Sequence, residues 1–414
     1  MGSEPPTRTD TNAPVTKSWF LIALADLFAA GLIGALLRAV YIWEIPFLHF
    51  RPWLHAHSHT AMLGWVFIGV VLVMLHDGGR GHIDRRTRWA LLGVQAAVIV
   101  MLISFPIQSY GPVSITASTV HLLIAYYILH LLWKKCAQWP PHGSRILLRW
   151  AIAMFALSTL GIWSIGPIIA AGAQSKEIYY WAIQLFLHFQ FNGWFWFAAI
   201  AMGVRWAERQ GYSIAMDRLT LALWVISAIL TYALAIAWSE PLPLVFATIT
   251  LAVLLQLWAA MRTLRILIRL RSQARAAFPF WGKVLVGVAL VAMAMKVIVQ
   301  TGVAVPEVAV MGFTIRHYVI GFIHLNTLAI MTTLLLTYAL LQQWWDISKR
   351  AVRAALALLV AGIVLSELIM FLQGTFFWAG LGLIPGHYLQ LFLVSIMIPI
   401  GVGMLLVTHR RTGK

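Results

Sequence analysis

The sequence has few charged residues, and acidic residues are scarcest of all. Charged side chains make up 10% of the 414 residues, only 13 of which are Asp or Glu, whereas 61% are hydrophobic. Polar residues are too few to cover a water-soluble fold of this length. The apolar runs are also continuous and do not alternate with polar residues, which excludes a membrane β-barrel and leaves membrane-spanning α-helices.

Cysteine is almost absent. Cys136 is the single one in the chain. No disulfide, no thiolate metal cluster and no Cys-x-x-Cys-His attachment of c-type haem can therefore form within it. Any haem would have to be held without covalent attachment, by side chains such as histidine.

Twelve apolar stretches are present, each about as long as the 20 residues that a helix needs to cross a bilayer. The predicted spans are 19–43, 54–76, 89–110, 115–133, 148–171, 178–204, 217–238, 241–263, 280–303, 315–341, 353–375 and 386–408. They predict an all-α integral membrane protein with one membrane domain, 19–408, and polar tails at 1–18 and 409–414. The first tail lacks the layout of a cleaved signal peptide and is expected to be disordered.

The net charge of +17 follows the membrane topology. Of the 30 Lys and Arg residues, 25 fall in alternate joints between spans and in the two tails. The positive-inside rule then places those joints and both termini in the cytoplasm. The charge distribution therefore indicates contact with membrane lipid, and it does not indicate a nucleic-acid partner.

Histidines in the spans gather toward the outer side. Within about ten residues of the outer starts of even-numbered spans, a depth of about 15 Å or less, lie His57, His59, His121, His188, His317, His324 and His387. Odd-numbered spans contain none. For His121, His317 and His387, an ordinary hydrogen-bonded role is at least as good an interpretation as ligation.

Three histidines occupy equivalent positions in a sequence pattern. In segments 59–65, 188–194 and 324–330, a histidine is followed five positions later by a small residue and then by a large apolar one. The histidines are 129 residues (59 to 188) and 136 residues (188 to 324) apart, with four spans from one to the next. This spacing predicts a threefold pseudo-repeat of four-helix units, although a chance match stays open.

The small residues of this pattern have two interpretations. Gly64, Gly193 and Ala329 would leave room for a flat haem macrocycle, or would let membrane helices pack closely. His57 and His59 carry separate information, because residues two apart on a helix point about 200° from each other. The two histidines are therefore expected to face different neighbours.

Short segments resemble the catalytic subunit I of the haem-copper oxidase superfamily, most closely its C-family oxidases and nitric oxide reductases. Segment 57–65, His-Ser-His-Thr-Ala-Met-Leu-Gly-Trp, resembles the family's His-x-His segment ending in Leu-Gly-Trp. Arg51-Pro52 resembles the Arg-Pro ahead of the family's first haem-ligating helix. Segment 320–324, Ile-Gly-Phe-Ile-His, is similar to the tenth-helix segment Ile-Gly-His-x-His.

The resemblance implies a low-spin haem b between the second and tenth helices. Its ligands would be His59, with His57 as the less favoured choice, and His324, while the copper ligand of helix six would correspond to His188. Two departures stand against a complete centre. Phe322 occupies the position of the high-spin haem ligand, and the seventh span has no histidine for copper. One haem is expected, and a second haem and copper stay open.

Ionisable residues near these histidines have two interpretations each. Arg51 and Arg316 flank the two proposed ligand helices and are expected to anchor haem propionates, or else to reach lipid headgroups. Asp26 and Glu367 lie inside spans, where they would belong to a proton route or be buried partners of polar neighbours.

The function that the resemblance implies is a haem-dependent respiratory oxidoreductase of the oxygen or nitric oxide reductase class, in a bacterial cytoplasmic membrane. Electrons would come from a partner subunit, a cytochrome or a quinol. Two alternatives stay open. One is a non-catalytic haem or metal sensor, or an assembly factor, of the same fold. The other is a repeat-built transporter whose histidines form a substrate or proton site.

Overall fold

The computed structural model describes residues 15–76, 83–212 and 214–409. Within these ranges the regular secondary structure is helical, without strands. We number the long helices in chain order. They are α1 Val15–Ala39, α2 Phe50–Leu75, α3 Arg85–Gln108, α4 Pro112–Lys135, α5 Ser144–Ala170, α6 177–209, α7 Arg218–Ile236, α8 Pro243–Ala277, α9 Phe280–Gly302, α10 Arg316–Leu341, α11 Arg350–Trp378 and α12 His387–Thr408. A short helix, Pro306–Thr314, precedes α10.

Eleven helices in the described ranges are long and apolar enough to cross a membrane. The chain is therefore a multi-pass, all-α membrane protein, and that part of the sequence prediction is confirmed. The sixth predicted span, 178–204, is helical within α6 but is not among the eleven. His188, Gln190 and Asn192 lie in its middle and lower its mean hydropathy.

The ends of the predicted domain differ slightly from the structure. Helix α1 begins at Val15, ahead of the predicted boundary at residue 19. Residues 1–14 and 410–414 of the predicted tails lie outside the described residues.

The helices form a closed ring in sequence order. Each packs against the next, and α12 packs against α1. Short joints such as 109–111 require neighbouring helices to run antiparallel. We call the end of the bundle at which α1 begins the proximal end, and the opposite end, where α2 begins, the distal end. Helices α2, α6 and α10 also contact one another inside the ring.

Burial agrees with this central position. In the most apolar stretches of α2 and α10, 72% and 61% of the residues are buried, against 50% or less in the other nine candidate spans. Trp65 of α2 and Trp194 of α6 are 1% and 0% exposed and lie in the largest hydrophobic core. The three inner helices are therefore the ones whose side chains mostly face protein.

Each inner helix contains a π-helical segment. These segments are Thr60–Val66 in α2, Gln190–Trp194 in α6 and Leu325–Thr332 in α10. Two of them are joined directly, because the indole Nε1 of Trp65 donates to Thr332 Oγ1 over 2.7 Å. A π segment is rare, since its wider turn weakens helix geometry, and such segments are frequent at functional sites.

Helices α3 and α7 begin in the same way at the proximal end. The carboxylates of Asp84 and Asp217 each accept hydrogen bonds from the backbone N–H and the hydroxyl of the threonine three residues later. These side chains satisfy N–H groups that a helix start leaves without partners. Hydrogen bonds from Thr220, together with Arg262 of α8, lower the pKa of Asp217 to about 2.

Two glycines of the sequence pattern pack against neighbouring helices. A Cβ atom on Gly64 would lie 2.7 Å from Asp26 Oδ2 of α1, and one on Gly193 would lie 2.5 Å from Met154 Cβ of α5. Neighbouring side chains already occupy the space beside both glycines. Of the two interpretations, close packing of membrane helices is the one that the structure supports at these two positions.

The contact between α5 and α6 depends on Gly161. A Cβ atom there would lie 2.2 Å from the carbonyl oxygen of Ala182 and 3.0 Å from the backbone nitrogen of Phe186. Backbone atoms of a helix cannot turn aside as a flexible side chain can. The two helices can approach this closely only because residue 161 has no side chain.

We expect Gly161→Ala to lower the thermal stability of the detergent-solubilised protein, at a cost of about 1–3 kcal/mol for an overpacked contact. Gly166→Ala is the matched control on the same helix, because nothing lies within 4 Å of a Cβ atom there. The measurement is the temperature at which the monodisperse peak disappears in size-exclusion chromatography after heating. Equal loss temperatures for the two variants would contradict the packing of α5 on α6.

Candidate functional site

His57 of α2 and His324 of α10 face each other toward the distal end of the bundle. Their ring centroids are 6.4 Å apart. His57 Nδ1 lies 2.8 Å from the carbonyl oxygen of Ala30 in α1, so Nδ1 carries the proton and donates, which leaves Nε2 with a free lone pair. Gly34 makes room for this ring, because a Cβ atom there would lie 2.9 Å from His57 Cε1.

A carboxylate lies behind His324. Glu367 of α11 places Oε1 4.0 Å from His324 Nδ1, with the two side chains 9% and 16% exposed. Neither oxygen of Glu367 has a hydrogen-bond partner among the described residues, and His324 Nδ1 also lacks one. Buried polar atoms without partners are rare and indicate a missing ligand, water or ion.

Arg38 of α1 completes this group of side chains. It interacts electrostatically with Glu367, His57 and His324, and it donates a hydrogen bond to Ser395 Oγ of α12. We call His57, His324, Glu367 and Arg38 the distal cluster. It brings together side chains from α1, α2, α10 and α11.

His59 lies on the other side of α2. Its Nδ1 is 2.9 Å from the carbonyl oxygen of His55, and its ring packs 4.5 Å from the ring of Phe105 in α3. The expectation that His57 and His59 face different neighbours is confirmed. His57 is the one of the two that lies beside His324, whereas the sequence favoured His59 as the ligand, and the choice between them stays a prediction.

His188 of α6 is held by hydrogen bonds at both ring nitrogens. Nε2 donates to the carbonyl oxygen of Ala228 over 2.8 Å, and Nδ1 accepts from Asn192 Nδ2 over 3.2 Å. Neither nitrogen is left for a metal in this arrangement. Across the described residues, no group of three or more His, Cys, Asp or Glu side chains is placed to hold a metal ion. The residues therefore do not fit the copper centre for which His188 was the expected ligand.

Asn192 connects His188 to a buried lysine. Lys296 of α9, 2% exposed, donates from Nζ to Asn192 Oδ1 and to Gln300 Oε1, both over 2.7 Å. Its ammonium lies 4.4 Å from the ring of Trp196 and 5.7 Å from that of Phe322, within reach of a cation–π interaction. Lys296 thus lies near Phe322, the residue at the position expected for a high-spin haem ligand.

The two arginines expected to anchor propionates lie at the distal rim. Arg51 and Arg316 are exposed, and the guanidinium of Arg316 lies 5.4 Å from the ring centre of Phe50. Their role stays a prediction. Arg38, the arginine of the distal cluster, is half-buried.

Four further residues from the sequence analysis have ordinary polar contacts. Gln95 donates to Asp26 Oδ1 over 2.9 Å. His121 Nε2 lies 3.3 Å from the carbonyl oxygen of Leu63. His317 and His387 contact each other, with their Nε2 atoms 3.3 Å apart.

Sequence reasoning missed the network around Lys296. A lysine inside an apolar span is costly unless it finds acceptors, and Asn192, Gln256 and Gln300 are amides inside predicted spans. These amide positions were the available signal. The connection from Asn192 to Lys296 was hidden because 104 residues separate them in sequence.

Comparison with known proteins gives no family assignment. No protein-family model matches the chain, and no curated protein matches it significantly. The functional interpretation therefore depends on the distal cluster and on the inner helices.

We expect Asn192→Leu to destabilise the protein by about 3 kcal/mol or more, because Lys296 would lose an acceptor while remaining buried. Lys296→Met should cost less, since Gln300 Nε2 still donates to Asn192 Oδ1 over 2.9 Å. The double variant should be more stable than Asn192→Leu alone, a non-additivity that thermal unfolding in detergent would measure. If the stability losses of the two single variants simply add in the double variant, the Lys296 ammonium is not stabilised by the Asn192 amide.

Proposed function

We propose that this protein is a membrane haem protein that carries electrons through one low-spin haem b, which His57 and His324 would hold. The spacing of their rings carries the proposal. Two imidazoles that bind one metal ion from opposite sides, at about 2 Å each, place their ring centres about 6 Å apart. The rings of His57 and His324 are 6.4 Å apart.

The surroundings of the two rings also fit ligation. A ligating histidine almost always donates its other N–H to a carbonyl or a carboxylate, which fixes the tautomer and the ring orientation. His57 has the carbonyl of Ala30 in that position, and His324 has Glu367. A haem with two histidine ligands supplies one-electron transfer between iron(II) and iron(III).

Arg38 is the residue we assign to the propionates. Its planar guanidinium matches a carboxylate in a bidentate fashion, and it already belongs to the distal cluster. Arg51 and Arg316 would assist from the rim of the site. In this arrangement the haem propionates would be bound near the distal end.

Electron transfer is a better fit than reduction of oxygen or nitric oxide at a haem-copper centre. Such a centre would need further histidines near Phe322, where Lys296 lies, and His188 has both nitrogens in hydrogen bonds. The resemblance to the haem-copper oxidase superfamily would then be one of architecture and of the low-spin haem. Electrons would come from a partner subunit, a cytochrome or a quinol at the distal end.

The architecture we propose is the twelve-helix threefold repeat, with α6 as a span. Support comes from the π segments, each of which starts one or two residues after His59, His188 or His324. Further support comes from the matching caps at Asp84 and Asp217, which begin the third helix of the first two units.

The proposed location is a bacterial cytoplasmic membrane, with both termini in the cytoplasm. Basic residues at the proximal end support this orientation. Among them are Arg85, Arg88, Arg218, Lys349 and Arg353. The distal cluster would then lie toward the outer side of the membrane.

A transporter is the second candidate, and the network around Lys296 favours it. A buried ammonium with amide partners between α6 and α9 is the kind of group that transporters place inside the membrane. This candidate requires no haem. The absence of any haem from the folded protein would favour it over electron transfer.

The deciding experiment is the reduced-minus-oxidised optical spectrum of the purified protein. We expect sharp α and Soret bands in the wild type, and their loss or shift in His57→Ala and His324→Ala, since each removes an axial ligand. His59→Ala is the matched control on the same helix and should keep the bands. Folded, colourless protein after expression with added haem would overturn the proposal, and loss of the bands in His59→Ala alone would return the ligand role to His59.

A sensor or assembly factor would show the same spectrum. Oxygen and nitric oxide consumption, and reduction by a quinol, separate it from an oxidoreductase. An electron carrier should be reduced by quinol or by an artificial donor and reoxidised by an acceptor.

A further inference from the structure

We infer that Glu367 is a positioning residue that orients His324 and strengthens it as an electron donor to iron, so that it lowers the reduction potential of the haem. The inference rests on the proposed function. It concerns a carboxylate to which the sequence assigned only a proton route or a buried polar contact.

Glu367 and His324 are complementary groups with unused hydrogen-bonding atoms. His324 Nδ1 and both oxygens of Glu367 are buried without a hydrogen bond among the described residues, and Oε1 lies 4.0 Å from Nδ1. Leaving a buried carboxylate without donors is costly. A small rotation of either side chain would bring Nδ1–H and Oε1 within hydrogen-bond distance and would satisfy both.

The two candidate haem ligands differ in the acceptor group that faces Nδ1 of the ring. The acceptor behind His57 is a neutral backbone carbonyl, and the acceptor behind His324 is an acidic side chain. Outer partners of this kind raise the basicity of a ligating imidazole and tune the metal. A carboxylate should do so more strongly than a carbonyl, and a more basic ligand favours iron(III) over iron(II).

Arg38 offsets part of the cost of burying this carboxylate. The guanidinium interacts electrostatically with Glu367 and is fixed by its hydrogen bond to Ser395. It offsets part of the charge without occupying the carboxylate oxygens. The acceptor atoms of Glu367 therefore stay available to His324.

The test is the haem midpoint potential of Glu367→Gln, measured by optical redox titration at one pH. We expect the variant to keep its haem and its low-spin spectrum. At a fixed applied potential, the ratio of reduced to oxidised haem should rise about tenfold, which is about 59 mV for one electron. Glu367→Asp, which keeps the charge but has a shorter reach, should give an intermediate midpoint.

Asp26→Asn is the matched control. Asp26 is also a buried acid of the bundle, but its side chain accepts a hydrogen bond from Gln95 and lies beside Gly64. Removing its charge should therefore leave the haem midpoint potential close to that of the wild type. The low-spin electron paramagnetic resonance signal gives a second readout, because it depends on the angle between the two imidazole planes. It should change in Glu367→Gln and stay unchanged in Asp26→Asn.

The inference is overturned if Glu367→Gln binds haem with the midpoint and resonance of the wild type, or if Asp26→Asn shifts both equally. If Glu367→Gln loses its haem, the test is made with Glu367→Asp. A midpoint potential above that of the wild type would support the inference, and an unchanged one would refute it. Failure of the proposed function looks different, because the wild type itself would then lack haem bands.

Discussion

A polypeptide in hydrocarbon has to satisfy its backbone hydrogen bonds within itself, and the rest of this structure depends on that constraint. It explains why the described secondary structure is helical. It also explains where helix geometry departs from the α form. The π segments lie in α2, α6 and α10, the helices at the centre of the ring, where protein and not lipid surrounds the weaker turns.

The same constraint applies to the polar side chains inside the bundle. His188 bonds to Ala228 and Asn192, and Lys296 is held by amide oxygens and aromatic rings. These groups have partners supplied by neighbouring helices. His324 and Glu367 lack hydrogen-bond partners and face each other beside His57. Asp26 Oδ2 and His387 Nδ1 also lack partners, but in the distal cluster the two groups without partners are complementary, because Glu367 Oε1 lies 4.0 Å from His324 Nδ1.

Much of this was predictable from the sequence, and the limits have a physical cause. Long apolar runs predict helices because bilayer thickness sets their length, and the two-residue step from His57 to His59 predicts opposite directions for them. Which of the two faces α10 depends on the rotation of α2 about its axis. That rotation is set by the packing of α1, through Gly34 and the carbonyl of Ala30, and no local pattern in α2 records it.

The closure of the ring has a consequence for how the chain is connected. Because α12 packs against α1, the first turn of α1 and the last turn of α12 lie at the same end of two neighbouring helices. Joining them and opening the chain between α4 and α5 would retain the packed helix pairs while a different set of four helices entered the membrane first. The folded structure is therefore compatible with circular permutation, and it does not by itself dictate the order in which its helices are synthesised.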